Sequence, residues 1–212
     1  MTTPTPAMTT RDTGVTGLVL AGGRSSRLGR SKALEPFLGE PLLSRVAARL
    51  GPVVQEVTLV VDSQSTAATL PVPFGAQVVL DEYPNCGPLG GIYTGLKAAR
   101  TPWVLVVACD MPFVEPRLLQ FLLEQRGAKE AVAPLVNGLP EPAHAAYSKG
   151  CLPAMLSRLQ SGRLKLADIL QDLNVAYVAE EALREVDPHL LSFFNVNTQA
   201  DLDRAFALAR GR

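Results

Sequence analysis

The sequence carries no excess of charge of either sign: 20 Lys and Arg stand against 20 Asp and Glu, and the pI is near 6.7. This excludes a protein-wide field that would hold nucleic acid or an anionic membrane, so any anionic ligand has to be bound by a local concentration of charge. Cysteine is scarce too. Cys86, Cys109 and Cys151 are odd in number, far apart and without a CxxC or His-containing metal spacing. A disulfide framework and a zinc site are therefore not indicated, and a reducing cytoplasm fits best. No run of about 18 apolar residues, the length needed to span a membrane, occurs. The Thr- and Pro-rich segment Met1–Thr16 lacks the apolar core of a signal peptide and reads as a flexible leader. The remaining residues, 17–212, read as one domain, since 47% hydrophobic content is enough for a real core at this length. Internal repeats are absent.

What is present is concentrated at Leu18-Val-Leu-Ala-Gly-Gly-Arg-Ser-Ser-Arg-Leu-Gly-Arg-Ser-Lys32, an apolar run that passes straight into a glycine-rich cationic loop. No Asp or Glu occurs between Thr13 and Leu34, while Arg24, Arg27, Arg30 and Lys32 fall close together. Gly22 and Gly23 let the backbone approach an anion, and the cations neutralise its charge. The spacing is neither Walker A, because Gly29 is followed by Arg30 rather than Lys, nor the GxGxxG dinucleotide fingerprint.

Apolar runs without polar alternation predict buried strands at Gly17–Gly22, Val57–Val61, Ala76–Leu80 and Trp103–Cys109. Between them, Leu42, Leu43, Val46 and Leu50 make one helical face after Pro41, and Leu89, Ile92, Leu96 and Ala99 make another. The second half predicts helices at Pro116–Gln125, Leu152–Gln160 and Leu164–Leu173, with strands at Glu130–Pro134, Ala143–Ser148, Val175–Val178 and Phe193–Asn197. Thr198-Gln-Ala-Asp201 reads as a capping box opening the last helix. Strands alternating with helices imply an α/β fold with a mostly parallel central sheet, whose ligands bind beyond the carboxyl ends of the strands.

Four further groups fall near such ends. Asp110, directly after the strongest strand, suits Mg²⁺, which takes one or two carboxylates and completes its shell with phosphates and water; the same residue could cap the next element. Asp81-Glu-Tyr-Pro-Asn-Cys-Gly87-Pro-Leu-Gly-Gly91 opens a helix and could read a base edge, hold a phosphate or be a plain turn. Glu141-Pro-Ala-His144 leaves His144 as a site residue or a core histidine. Asn195-Val-Asn197-Thr198 offers carboxamides to a polar heterocycle or serves turn chemistry. Cys86 is a small loop residue or a reactive thiol, and His189 carries no site argument.

The segment Leu20-Ala-Gly-Gly-x-Ser-x-Arg27-Leu-Gly29-x-Ser-Lys32, with Gly87-Pro-Leu-Gly-Gly91, Asp110-Met-Pro-Phe113, Glu141-Pro-Ala-His144 and Phe194-Asn-Val-Asn-Thr198, resembles the molybdenum cofactor guanylyltransferase (MobA) family across nearly the whole chain. The resemblance implies a three-layer Rossmann-like nucleotidyltransferase fold and transfer of GMP from GTP to molybdenum-molybdopterin, with release of pyrophosphate. It also implies that Leu20, Ala21, Gly22 and Gly23 lie along the nucleotide, Lys32 contacts phosphates, Asp110 holds Mg²⁺, Asp81 and Gly87 flank the guanosine, and Asn195 and Asn197 face the pterin. Lys32 and Asp110 would be the catalytic pair. Delivery proteins or apo-molybdoenzymes would be the partners. Two positions depart from the family pattern: Val61-Asp62-Ser63 where an Asn is common, and Ser31 where Asp is common before the lysine. The competing readings are a sister enzyme using CTP or a sugar phosphate, and a non-catalytic cofactor carrier.

Overall fold

The first apolar run forms strand β1 (Val15–Leu20), in which Val15, Leu18 and Val19 are fully buried. The computed structural model describes residues 13–22, 31–73 and 75–211. Most of the expected leader, residues 1–12, lies outside them, and β1 starts two residues before Gly17. A tight hairpin follows, β2 (Pro36–Phe37) and β3 (Glu40–Pro41), turning on Leu38 and Gly39 at positive φ. It delivers α1 (Leu42–Leu50), whose Leu42, Leu43, Val46 and Leu50 are buried as their spacing predicts.

Next come β4 (Glu56–Val61), a short α2 (Gln64–Thr69) capped by the Ser63 hydroxyl, β5 (Gln77–Leu80), α3 (Gly87–Ala98) and β6 (Trp103–Ala108). The second half adds α4 (Pro116–Glu124), β7 (Ala131–Val136), β8 (Leu139–Pro140), β9 (His144–Ser148), α5 (Leu152–Gln160), β10 (Val175–Val178), α6 (Glu180–Val186) and α7 (Gln199–Arg210).

The main sheet has the order β10-β7-β9-β6-β1-β4-β5, with β8 paired to β7. β1 lies between β4 and β6, parallel to both, and β5 and β10 extend the parallel pairing; β9 is antiparallel to both its neighbours. Its reversal follows from the turn at Asn137-Gly138, both at positive φ, which folds β7 back on β8. Helices α1, α4 and α6 pack on one face through Val46, Leu119 and Leu183. On the other face α3 and α5 pack through Ile92, Leu96 and Met155. A smaller cluster, with Phe37, Phe113, Val196 and Leu202, seats α7 against the hairpin. No helix among the described residues is long and apolar enough to cross a membrane.

Two expected elements differ. Leu164–Leu173 is a 3-10 segment, Leu166–Asp172, which still buries Leu166, Ile169 and Leu170. Phe193–Asn197 is not a strand: Leu191–Phe193 is a 3-10 turn, and the residues after it pair with no strand among the described residues. The amide of Val196 instead donates to the Asp110 carbonyl at 2.9 Å.

Contact between α3 and β1 is unusually close, because a Cβ at Gly95 would lie 2.2 and 2.6 Å from the two methyls of the fully buried Leu18. Gly95→Val is expected to overpack this contact and destabilise the fold by about 1–3 kcal/mol. The urea midpoint measures it, and an unchanged midpoint would mean that Leu18 can move aside.

Candidate active site

Leu20 at the end of β1 pairs with Val60 of β4 and with Ala108 of β6, and the ends of β4 and β5 pair through Val61 and Leu80. Four parallel strands thus stop at one level, and the loops leaving them enclose a crevice of about 520 Å³. Its walls include Leu20, Ala21, Gly22, Lys32, Asp81, Gly87 and Asp110, seven of the eight residues expected along the nucleotide. The eighth, Gly23, lies outside the described residues, as do Arg24, Arg27 and Arg30.

The backbone leaves β1 through Ala21, whose amide donates to the Val60 carbonyl at 2.9 Å. Glycine is required next. A Cβ on Gly22 would stand 2.8 Å from the Asp62 amide nitrogen, so the turn and the neighbouring strand end occupy the space a side chain would need.

Lys32 and Asp110 meet across the crevice. The ammonium donates to Asp110 Oδ2 at 2.9 Å and also to Asn197 Oδ1, with both charged side chains mostly shielded. Asp110 is held from behind by the Val196 amide on its carbonyl. Asn197 is fixed by the start of α7: Asp201 Oδ2 accepts from the amides of Asn197 and Thr198, and the Thr198 hydroxyl accepts from the Asp201 amide. Among the described residues Asp110 Oδ1 is buried with no hydrogen-bond partner. A buried carboxylate oxygen left unpaired costs free energy, and a bound cation would satisfy it. Among the described residues no cluster of three or more His, Cys, Asp or Glu could hold a metal alone. The donor set therefore fits an ion such as Mg²⁺ that borrows ligands from a phosphate substrate and water.

On the opposite wall, the Asp81 amide donates to the Val61 carbonyl, and its Oδ1 accepts from the Tyr83 amide and the Thr94 hydroxyl, each at 2.9 Å. Gly87, at φ +64, begins α3, so the positive end of that helix borders the crevice. Asp62 and Asn85 line it too. In the sequence Asp62 stands out only as a departure from the family pattern and Asn85 only as a turn residue; the φ of 74 at Asn85 is a conformation Asn tolerates.

Asn195 is engaged locally, its Nδ2 donating to the Phe193 carbonyl at 3.1 Å, and it is not among the crevice residues. His144 lies fully buried behind the site, its ring tilted against Phe193 at 4.7 Å between centroids and its Nδ1 3.3 Å from Met111 Sδ, while Nε2 has no partner among the described residues. It is a core histidine, the plainer of its two readings. Cys109 and Cys151 are buried free thiols, and burial pushes both up to about 12, so neither is a nucleophile near neutral pH.

A family model described as a MobA-like NTP transferase domain matches residues 17–178. A protein of Pelotomaculum thermopropionicum named probable molybdenum cofactor guanylyltransferase is similar to this chain, 39% identical over 92% of it and 93% of its own length. The molybdenum cofactor guanylyltransferase of Desulfosudis oleivorans is 31% identical over 91% of this chain and 95% of its own. Among solved structures, molybdopterin-guanine dinucleotide biosynthesis protein A from Archaeoglobus fulgidus aligns with a TM-score of 0.82 and 30% identity, over 93% of this chain and 100% of that one.

Burial pushes the His144 imidazole down to about 4 from its ordinary 6.5. The unfolded chain then takes up a proton between those values that the folded chain refuses. Stability is full above pH 6.5 and falls as the pH drops towards 4, by roughly 3 kcal/mol from this group. Urea denaturation at pH 7.5 and pH 4.5 should show a smaller difference for His144→Phe than for the parent; equal differences would contradict the assignment.

Proposed function

The chain belongs to the MobA-like NTP transferase family and is a nucleotidyltransferase, and on that premise we propose that it transfers GMP from GTP to the terminal phosphate of molybdenum-molybdopterin, giving the guanine dinucleotide cofactor and pyrophosphate. The observation that carries this reading is the pairing of Lys32 with Asp110 across the crevice, with one buried carboxylate oxygen left for a cation. A triphosphate needs both, and the relatives named for this reaction span nearly the whole chain.

The chemistry asks little of a general base. A phosphate monoester is largely ionised near neutral pH, so its oxygen attacks the α-phosphorus directly while the bond to the pyrophosphate oxygen breaks. What the protein must supply is charge compensation and alignment. Lys32 presents its ammonium at the crevice wall, where triphosphate oxygens can join Asp110 and Asn197 as acceptors. Gly22 lets the turn after β1 pack against the end of β4 at the crevice wall, and the first turn of α3 adds positive potential near Gly87. Asp110 Oδ1 would hold Mg²⁺, which when bound supplies neutralisation of the negative charge gathering on the phosphates. Leu20, Ala21 and Asp81 bracket the nucleoside, with Asp81 accepting from donors that guanosine offers. Asn197 stands on the pterin side of Lys32, and Asn195 belongs to the same segment. A cytoplasmic setting, with apo-molybdoenzymes or delivery proteins downstream, completes the proposal and is supported by the unpaired thiols.

Pyrophosphate release from GTP, molybdenum-molybdopterin and Mg²⁺ tests the reading. Asp110→Asn and Lys32→Met should each lower the rate on the order of 10²-fold or more while the circular dichroism spectrum stays unchanged. Turnover indifferent to Asp110→Asn would remove the metal assignment. Faster release from CTP than from GTP would replace guanylyl by cytidylyl transfer.

A further inference from the structure

We propose that Thr94, which no part of the reaction scheme uses, is a positioning residue that turns the Asp81 carboxylate so that one oxygen faces the nucleoside, an inference that rests on the crevice being the nucleotide site. Thr94 lies on α3 within a strongly apolar stretch, with Leu89, Ile92 and Leu96 all at zero exposure and Thr94 itself at 1%. A valine would suit those apolar surroundings and would bring no polar atom of its own. The hydroxyl is fully employed instead. Thr94 Oγ1 donates to Asp81 Oδ1 at 2.9 Å and accepts from the Glu82 amide at 3.0 Å. A threonine inside a helix commonly bonds back to a carbonyl of its own preceding turn; this one reaches across to the strand end.

The consequence lies in which oxygen remains. Asp81 Oδ1 already accepts from the Tyr83 amide and from Thr94, two donors that fix the plane of the carboxylate. Among the described residues no hydrogen bond reaches Oδ2, which is left for a ligand, and the helix is shaped around it: a Cβ on Gly90 would lie 3.3 Å from Oδ2 and 2.6 Å from the Tyr83 carbonyl, and one on Gly91 3.9 Å from Oδ2. A carboxylate held this way presents a single fixed acceptor, which suits N–H or O–H donors on a nucleoside. Without the Thr94 hydroxyl the side chain could rotate about its last bond, and binding would have to restrict that freedom.

The test compares Thr94→Val, which keeps the volume, with Thr94→Ser, which keeps the hydroxyl. Thr94→Val should raise the calorimetric Kd and the KM for GTP about tenfold while kcat stays within twofold; Thr94→Ser should restore both. In an Asp81→Asn background, Thr94→Val should add no further loss. If Thr94→Val does not fold, Thr94→Ala is read in the same way. Unchanged affinity in the Val or Ala variant, equal loss in the Ser variant, or a full additive loss on Asp81→Asn would each overturn the inference. Failure of the function is separable: should the parent bind CTP in preference to GTP, the guanylyl reading falls, yet Thr94→Val must still weaken CTP binding about tenfold.

Discussion

Hydrogen bonding of β1 to a parallel strand on each side is the constraint from which the crevice follows. Leu20 pairs with Val60 and Ala108, so the chain leaves three adjacent strands at the same height. Each exit then delivers a different chemistry without any long reach. β1 gives a glycine turn and leads to Lys32, β6 gives Asp110, and β4 hands its Val61 carbonyl to the amide of Asp81. A slip of one residue in any pair would turn the buried side chains of that strand to the other face and shift its exit by roughly 3 Å, more than a hydrogen bond can absorb.

The second organising feature is that the charged groups are supported by neutral ones. Lys32 is shared between Asp110 and Asn197, and Asn197 is itself fixed by the cap of α7, at the far end of the chain. Asp81 is steadied by a backbone amide and a hydroxyl. In both arrangements one carboxylate oxygen is engaged by neighbouring groups, Asp110 Oδ2 by Lys32 and Asp81 Oδ1 by Tyr83 and Thr94.

Much of this was legible in the sequence. The apolar runs of β1, β4 and β6 and the heptad-like spacing of α1 and α3 place strands and helices because burial on both faces of a parallel sheet leaves an unmistakable pattern. Asp110 and Asp81 could be singled out because the strand ends that carry them could. What escaped had weaker or competing signals. Phe194–Asn197 alternates apolar and polar residues as a strand does, yet it pairs with no strand among the described residues, and its polar atoms go to Asp110 and to α7 instead. Leu164–Leu173 has helical periodicity, but the tighter 3-10 winding buries Leu166, Ile169 and Leu170 equally well. The Asn137-Gly138 hairpin and the short helices α2 and α6 went unread, although Asn-Gly is a strong turn signal. Thr94 had no signal at all, since a hydroxyl in an apolar helix is meaningful only once its partner is known.

The reversal of β9 has a consequence for how such a site can change. Because β9 runs against β6, its first residue, His144, pairs with Val107 near the exit of β6, and the segment just before it reaches the crevice through Ala143. Here alone among the strands flanking β6 the site is met by a chain entering the sheet rather than leaving it. Lengthening or reshaping residues 141–143 would remodel the wall beside Asp110 without disturbing β1, β4 or β5. In this architecture the wall at Ala143 and the walls built by the exits of β1, β4 and β5 are carried on separate pieces of backbone, so each can drift while the other is held.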